Sequence, residues 1–430
     1  MGLRESLEER EMSVRAKVSA ALLALLVSGG LAACGSDNDS ASGSASGSGS
    51  SSAKSDAKPL KIGLIPPTSG ALAVFGTDEM KGWQVAADQA NAQGGVDGHK
   101  VELIKASTDG QPASTIRAAR KLATQQGAKF IGAIMTSPEA AALAKQLPAL
   151  GALNFNSTGK DDGLIGADCS PDAFRSVTGS AMDVNAIAAS MSKLPAKTWA
   201  IQAVDYSTGH SAAAAFKAAA EKAGKKIVLT QYAPLNTSDF GSYISKLKSA
   251  KADGLFAVEY GADGVAFVNQ GAQFKLFDQY KTVLGFNMVS EPLFKTLGKK
   301  VTGFYNNVGY DVDADNALNQ TFVADYKKAN GTDPYYVPAD TYMAAQILFA
   351  AVKKAGSVDP QKVKAAMKDL SVPDLSGQNI TIGPDGQAMR PSHVGQVVAK
   401  AGGPGGLGFK IVSTTPASVT HPSVSPDCKM

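Results

Sequence analysis

The chain has 430 residues, of which 44% are hydrophobic and 19% are charged, and its formal net charge is +4. This is the composition of an ordinary globular protein. The small positive charge does not indicate a nucleic-acid partner, because no basic stripe is interleaved with aromatic residues. Beyond residue 60 about 370 residues remain, which is enough for two lobes by the usual size of domains.

The N-terminus has the pattern of a secretory signal. Arg15 and Lys17 precede an apolar run at 20–27, and small residues then lead to a Leu-Ala-Ala-Cys sequence that ends at Cys34. The apolar run is far shorter than the ~20 residues that a transmembrane helix needs. Because several glutamates precede Met12, Met12 is the predicted start, and residues 1–33 are predicted to be a signal peptide.

The end of this signal resembles the lipobox of bacterial lipoproteins, in which the cysteine becomes the lipidated first residue of the mature protein. The resemblance predicts lipidation of Cys34. Residues 34–58 are mostly Gly, Ser, Ala and Asp, which predicts a flexible tether with an end-to-end distance of roughly 25–30 Å. We therefore expect a protein anchored by lipid to the outer face of the cytoplasmic membrane. The alternative is a buried N-terminal helix with an incidental cysteine.

The remaining cysteines, Cys169 and Cys428, form an even pair in an oxidising compartment. A single disulfide is the simplest interpretation. No metal site is expected, because the sequence contains no CxxC motif and its four histidines are scattered.

Beyond residue 60, short apolar runs alternate with segments of helical periodicity. The predicted elements in chain order are strand 61–65, helix from 78, strand 101–104, helix 112–126, strand 130–134, helix 138–147, strand 153–155, helix 181–193, strand 199–204, helix 211–223, strand 226–231, helix 240–250, strand 254–258, helix 264–273 and strand 282–286. A break at 160–178 divides them into two series. This alternation predicts an α/β fold with two similar lobes, each a parallel sheet flanked by helices.

Ligands of such sheets bind outside the carboxyl ends of the strands. The turns at these ends are polar, small or aromatic, and they lie at 68–70, 136–138, 156–158, 205–209, 259–260 and 285–287. Ser137 and Pro138 predict a helix that begins with a serine N-cap and a proline in its first turn. Free amides at such a terminus could hold a carboxylate. The alternative is that Ser137 only caps its own helix.

The sequence resembles the Leu/Ile/Val-binding family of periplasmic solute-binding proteins of ABC transporters over residues 60–415. The features that carry the resemblance are Ile62-Gly63, Ser69-Gly70, Gly76, Gly82, Ala90-Asn91 before Gly94-Gly95-Val96, Asp109 with Pro112, Lys129-Phe130-Ile131-Gly132, Phe174-Arg175-Ser176, residues 205–209, Asp239-Phe240 before Ile244 and Leu247, and Thr341-Tyr342 with Ala344-Ala345. The resemblance implies the type I fold, in which three hinge crossings join two lobes. It places the N-terminal lobe at 60–177 plus 310–385 and the C-terminal lobe and tail at 178–309 plus 386–430.

The resemblance also implies that a small solute is bound between the lobes and delivered to the permease subunits of an ABC transporter. The ligand-binding positions that it indicates are Phe75, Thr136, Ser137, Ser157, Thr158, Tyr206, Thr208, Tyr260 and Asn287. Amino-acid binders of this family usually have an acid at the position of Asn287, where it pairs with the ligand's ammonium group. Either Asp263 or Glu291 replaces that acid, or the ligand has no ammonium. The sequence thus predicts a small carboxylate-bearing solute, either a branched-chain amino acid or a related hydrophobic acid.

No motif supports catalysis or a cofactor. The GxGxxG pattern at 403–408 contains Pro404 and no amphipathic helix follows it, and the SxxK pattern at 157–160 lacks its partner motifs. We therefore expect a monomeric binding protein rather than an enzyme. A sensor that signals to a membrane partner without transport is the alternative.

Overall fold

The computed structural model describes residues 57–70, 72–191 and 194–428. The predicted signal peptide, the predicted start Met12, the predicted lipidation site Cys34 and the predicted tether up to residue 56 lie outside the described residues. Within the described ranges, no helix is long and apolar enough to cross a membrane.

The first lobe contains a sheet of five parallel strands in the spatial order β2-β1-β3-β4-β5. The strands are β1 (Leu60–Leu64), β2 (Val101–Lys105), β3 (Phe130–Gly132), β4 (Leu153–Asn156) and β5 (Ala173–Arg175). Every residue of β3 and β4 is buried. Such continuous burial is typical of a parallel sheet that is covered on both faces.

The second lobe contains a seven-stranded sheet in the order β14-β13-β10-β9-β8-β6-β7. The strands are β6 (Thr198–Val204), β7 (Lys226–Ala233), β8 (Gly254–Val258), β9 (Thr282–Gly285), β10 (Tyr305–Val308), β13 (Ser392–Ala399) and β14 (Leu407–Thr415). Strands β6 to β10 are parallel, whereas β13 and β14 add an antiparallel hairpin at one edge. A separate two-stranded ribbon pairs β11 (Ser371–Pro373) with β12 (Asn379–Thr381).

Helices cover both faces of each sheet. Those associated with the first sheet are α1 (Ala73–Ala92), α2 (Pro112–Gln125), α3 (Ser137–Ala144), α4 (Leu147–Leu150), α10 (Ala317–Asn330), α11 (Tyr336–Ala355) and α12 (Pro360–Ala366). Those associated with the second are α5 (Ser180–Met191), α6 (Ser207–Lys222), α7 (Gly241–Ser249), α8 (Gly261–Gln273), α9 (Phe294–Leu297) and α13 (Ala417–Thr420). Two hydrophobic cores result in each lobe, one on either side of its sheet.

Three helices begin earlier than the sequence pattern predicts, namely α1 at residue 73, α6 at 207 and α8 at 261. The first turns of α6 and α8 consist mainly of glycine and polar residues, which add nothing to an apolar periodicity. Gly209 shows why such a residue is needed there, because a Cβ atom at this position would lie 2.0 Å from the carbonyl oxygen of Val204. The absence of a side chain thus allows α6 to start directly above the end of β6.

The chain passes between the lobes three times, after β5, after β10 and before β13. Arg175 and Gln387 form a parallel bridge that joins the first and third crossings. The buried guanidinium of Arg390 ties the same region together, because it pairs with Asp340 at 2.5 Å and with Asp374 at 2.9 Å. Buried charges are tolerated when they are paired in this way, so the hinge is an ordered polar cluster rather than a loose linker.

The C-terminal tail adds a further connection between the lobes. After α13 the tail leaves the second lobe, and the structure joins Cys428 to Cys169 in a disulfide with a Cα–Cα distance of 5.5 Å. Cys169 lies between β4 and β5 of the first lobe. Two other contacts hold the tail: Asn185 donates a hydrogen bond to the carbonyl oxygen of Thr420 at 2.8 Å, and His421 lies 3.0 Å from the Asp385 carboxylate.

Candidate functional site

A cavity lies between the lobes at the carboxyl ends of their strands. The empty volume between its lining side chains is ≈ 420 Å³. Its lining residues are Leu72, Phe75, Met135, Thr158, Lys160, Tyr206, Thr208, Tyr260, Asn287 and Tyr336. They follow β3, β4, β6, β8 and β9 or begin α1 and α11. This is the edge at which parallel sheets bind ligands, and the narrow space corresponds to a closed cleft.

Aromatic rings form much of the cavity wall. Phe75 is 2% exposed, and the rings of Tyr206 and Tyr260 lie 6.2 Å apart with Tyr336 beside the same space. The hydroxyl of Tyr260 is buried and has no hydrogen-bond partner among the described residues. Burial raises the pKa of both Tyr206 and Tyr260 above the usual value, so both phenols are neutral. A buried hydroxyl without a partner is costly, and a ligand oxygen in the cavity would satisfy it.

The prediction that Ser137 is the N-cap of its helix is wrong. Thr136 has extended backbone angles and caps α3, whereas Ser137 is already helical. The hydroxyl of Thr136 accepts a hydrogen bond from the Glu139 amide at 3.3 Å, and the Glu139 carboxylate accepts one from the Thr136 amide at 3.0 Å. This reciprocal capping box fixes the start of the helix and uses the polar groups of Thr136, which does not line the cavity.

Ser137 instead forms a direct bond between the lobes. Its Oγ lies 2.5 Å from Oγ1 of Thr208 on α6, and it also accepts a hydrogen bond from the amide of Asp161 at 3.1 Å. Thr208 lines the cavity, whereas Ser137 does not. Two of the predicted ligand contacts are thus bonded to each other in this closed form of the cleft.

Ser157 and Thr158 differ in their surroundings. The hydroxyl of Ser157 is buried without a partner among the described residues, and Ser157 does not line the cavity. Thr158 does line it, but its hydroxyl donates to the carbonyl oxygen of Ile134 at 2.6 Å and lies 3.1 Å from Glu79 Oε1. Burial, together with the nearby Glu139 carboxylate, raises the pKa of Glu79 well above its usual value.

Asn287 lines the cavity at the position where amino-acid binders of this family usually have an acid. Its backbone lies in the left-handed region with φ = 50°, a conformation that asparagine adopts more readily than most residues. Its backbone amide donates to Asn307 Oδ1 at 2.7 Å, and its side-chain oxygen accepts from Asn307 Nδ2 at 2.8 Å. Since the oxygen is used in this way, the side chain can present its NH₂ group to the cavity, and that group is a donor.

Neither acid that could replace the missing counter-charge lines the cavity. The carboxylate of Asp263 accepts hydrogen bonds from the backbone amides of Asn236 at 2.7 Å and Thr237 at 3.3 Å. Glu291 lies in a short 3₁₀ turn after β9, and burial raises its pKa to about 7. None of the ten lining residues is acidic, so the cavity wall offers no carboxylate to a ligand ammonium group.

Sequence reasoning missed Lys160 as a site residue. Its side chain is 3% exposed and lines the cavity, and its Nζ lies 2.5 Å from Asp183 Oδ2 and 3.2 Å from the Thr178 hydroxyl. It also lies 5.9 Å from the centre of the Phe286 ring. The only hint in the sequence is that Lys160 closely follows the 156–158 turn. At such a position, a lysine in the site looks the same in the sequence as a lysine exposed to solvent. The cavity wall therefore contains a cation.

Two lobes of parallel sheet with an enclosed cavity at their strand ends define a solute-binding protein. Residues 59–404 match the sequence profile of a family described as periplasmic binding protein. The chain belongs to this family, which comprises binding proteins rather than enzymes and places the protein outside the cytoplasm.

Relatives and solved structures agree with this assignment. The chain is 27% identical over 356 residues to Leu/Ile/Val-binding protein homolog 8 of Brucella abortus, with 78% of this chain and 87% of that protein covered. A solute-binding protein of an ABC transporter from Rhodopseudomonas palustris BisB5, in complex with 3,4-dihydroxybenzoic acid, matches with a TM-score of 0.77 and 25% identity. That match covers 84% of this chain and 98% of the other. A leucine-binding protein from Thermotoga maritima has the same fold, with a TM-score of 0.73, 21% identity, and 83% and 99% coverage.

Proposed function

We propose that the protein captures a small carboxylate-bearing solute with a hydrophobic body and delivers it to the permease subunits of an ABC transporter. The observation that carries the proposal is the lining of the cavity, which combines four aromatic rings with one buried lysine and no acid. Aromatic walls favour an apolar body, and the lysine and the hydroxyl and amide donors favour an anionic head group.

The relatives support this chemistry. One is named for leucine, isoleucine and valine, and another binds a dihydroxybenzoic acid. All of these solutes combine a carboxylate with a hydrophobic body. The second relative is also described as part of an ABC transporter, which supports a permease as the partner of this chain.

Capture requires the lobes to part, because the cavity is closed by side chains from both of them. We propose that residues 60–177 with 310–385 move against residues 178–309 with 386–430 about the three crossings. Phe75, Thr158, Tyr206, Thr208, Tyr260 and Asn287 would contact the solute directly. Thr136, Ser137 and Ser157 would support the turns behind it.

Isothermal titration calorimetry tests the proposed ligand class. Leucine, isoleucine, valine and a panel of amine-free aliphatic and aromatic acids should include at least one ligand of about micromolar affinity, near −8 kcal/mol. Tyr260→Ala should weaken that ligand, because it removes both an aromatic wall and the buried hydroxyl, whereas Tyr243→Ala, outside the cavity lining, should not. Binding of a sugar or a polyamine, with no response to any carboxylate, would contradict the proposal.

We further propose that the protein is anchored to the membrane through a lipid on Cys34. Replacing Cys34 with alanine is expected to leave the precursor unprocessed or to release the protein from the membrane, because no thiol remains for the lipid. Fractionation followed by immunoblotting and mass spectrometry of the N-terminus measures this. Ser44→Ala, within the predicted tether, is the matched control and should remain on the membrane. A processed, membrane-bound Cys34→Ala variant would show that the anchor lies elsewhere.

A further inference from the structure

We propose that Lys160 determines ligand specificity, so that the cavity binds amine-free carboxylates, above all those with an aromatic body, in preference to the corresponding amino acids. This inference rests on the proposed function and narrows its ligand class. It is carried by three features of the site: a buried lysine in the cavity lining, its paired aspartate outside that lining, and the lack of an acidic side chain in the lining.

The ammonium of Lys160 has a proton left for a ligand. A lysine ammonium has three N–H donors. Among the described residues, Asp183 and Thr178 accept hydrogen bonds from two of them, at 2.5 and 3.2 Å. Because Lys160 also borders the cavity, the remaining donor is available to a solute carboxylate. A charge-assisted hydrogen bond of this kind is stronger than one from a neutral group.

Asp183 cannot form a corresponding charge-assisted hydrogen bond with a ligand ammonium. Its Oδ2 accepts from Lys160 and from Asn307 Nδ2 at 2.8 Å, and its Oδ1 accepts from the Thr178 hydroxyl at 2.7 Å. It is 3% exposed and does not line the cavity. Of this ion pair, only the positively charged residue belongs to the cavity lining.

The other polar groups at the cavity also favour a ligand carboxylate over a ligand ammonium group. Asn287 occupies the position of a counter-acid and is fixed by its two hydrogen bonds to Asn307. Glu79 does not line the cavity, its Oε1 accepts a hydrogen bond from Thr158, and burial raises its pKa and so favours the uncharged acid. A ligand ammonium would lie beside the Lys160 ammonium and would meet no acidic side chain in the cavity lining, and like charges close together at a buried site are unfavourable.

The four rings of the wall favour a flat apolar body. Phe75, Tyr206, Tyr260 and Tyr336 surround a narrow space, and aromatic side chains bind other rings in offset or edge-to-face arrangements. The partnerless hydroxyl of Tyr260 could bond a polar substituent on the ring. An aromatic acid therefore satisfies the donors and fills the apolar walls at the same time.

Matched pairs of ligands that differ only in the amine test this inference. Calorimetry on the full mature protein should show 3-phenylpropanoate binding at least about tenfold tighter than phenylalanine, and 4-methylpentanoate at least about tenfold tighter than leucine, because only the amino acid brings an ammonium group next to Lys160 and leaves it without an acidic partner in the lining. The variant Lys160→Met with Asp183→Asn removes both charges together and should bring each ratio close to one. Lys160→Arg keeps the positive charge and should keep the preference.

The controls separate this inference from the function on which it rests. Lys121→Met, which replaces an exposed lysine on α2, should leave both ratios unchanged, and circular dichroism establishes that each variant is folded. Tighter binding of the amino acids to the wild-type protein, or unchanged ratios in a folded Lys160→Met/Asp183→Asn variant, overturns the role of Lys160 alone. Failure of every carboxylate to bind overturns the proposed function as well. If the double variant does not fold, the wild-type and Lys160→Arg ratios decide.

Discussion

Replacing Cys169 and Cys428 with serine is expected to lower the free energy of unfolding by about 3–5 kcal/mol. The disulfide closes a loop between residues 259 positions apart, and its loss gives the unfolded chain conformations that the bond excluded. The contacts of Asn185 and His421 would still hold the tail. Urea denaturation followed by tryptophan fluorescence measures the change, because Trp83 and Trp199 are both fully buried.

Reduction provides the matched control. A reducing agent should destabilise the wild-type protein by a similar amount and should leave the double serine variant unchanged. Two free thiols in the unreduced mature protein, or a serine variant as stable as the wild type, would contradict this prediction.

The free energy of unfolding of the wild-type protein should fall as the pH rises from 4.5 to 8. Glu259→Gln is expected to remove a large part of this decrease. Glu259 is fully buried, and burial raises its pKa to about 8 although Gln202 donates to its Oε1 at 2.7 Å. Its other oxygen has no partner among the described residues. Glutamine keeps an oxygen that accepts the hydrogen bond from Gln202, but it has no ionisable group. No charge then has to form at this buried site as the pH rises.

The direction follows from proton linkage. Above pH 4.5 the unfolded chain releases the Glu259 proton, whereas the folded protein keeps it up to about pH 8. The unfolded state therefore binds fewer protons in this range, and the stability contributed by this group is complete below pH 4.5 and lost by about pH 8, with a change on the order of 4 kcal/mol. Denaturation curves of wild type and Glu259→Gln across this range measure the difference. Glu221→Gln, at an exposed position, is the control, and parallel curves for wild type and Glu259→Gln would contradict the prediction.

Much of the architecture can be predicted from the periodicity of the sequence. Except for the three-residue β5, which lies in the break at 160–178, the alternation of apolar runs and helical segments predicts the strands from β1 to β9, because strands covered on both faces are mostly apolar. It does not predict the antiparallel β13 and β14, since most residues of β14 alternate between half-buried and exposed positions and resemble a surface segment. Helix starts are also missed where glycine and polar residues form the first turn.

The site could be predicted only in outline. The rule that ligands bind at strand ends brings Tyr206, Tyr260 and Asn287 to one cavity, and the family resemblance adds Phe75. The structure places all four in the cavity wall. The position of a turn does not determine where its side chains point. The capping box therefore takes Thr136 away from the cavity, and Ser137 bonds to the opposite lobe.

Lys160 illustrates a different limit. A lysine is exposed in most proteins, and sequence alone does not show that Asp183, 23 positions later, lies beside it. The pair is formed by tertiary structure, because the loop after β4 meets the first turn of α5 only once both lobes are in place. Charge partners of this kind are therefore invisible to spacing rules.

The hydroxyl bond between Ser137 and Thr208 makes solute capture an exchange rather than a simple addition. The lobes already hold one another at 2.5 Å through these two side chains, so a solute that takes the place of Ser137 on the Thr208 hydroxyl displaces this bond. The binding free energy that a titration measures is then the free energy of the bonds formed to the solute minus that of the bonds broken between the lobes. A protein whose lobes had no such bond would bind the same solute more tightly at the same contacts, and would also release it to the permease more slowly.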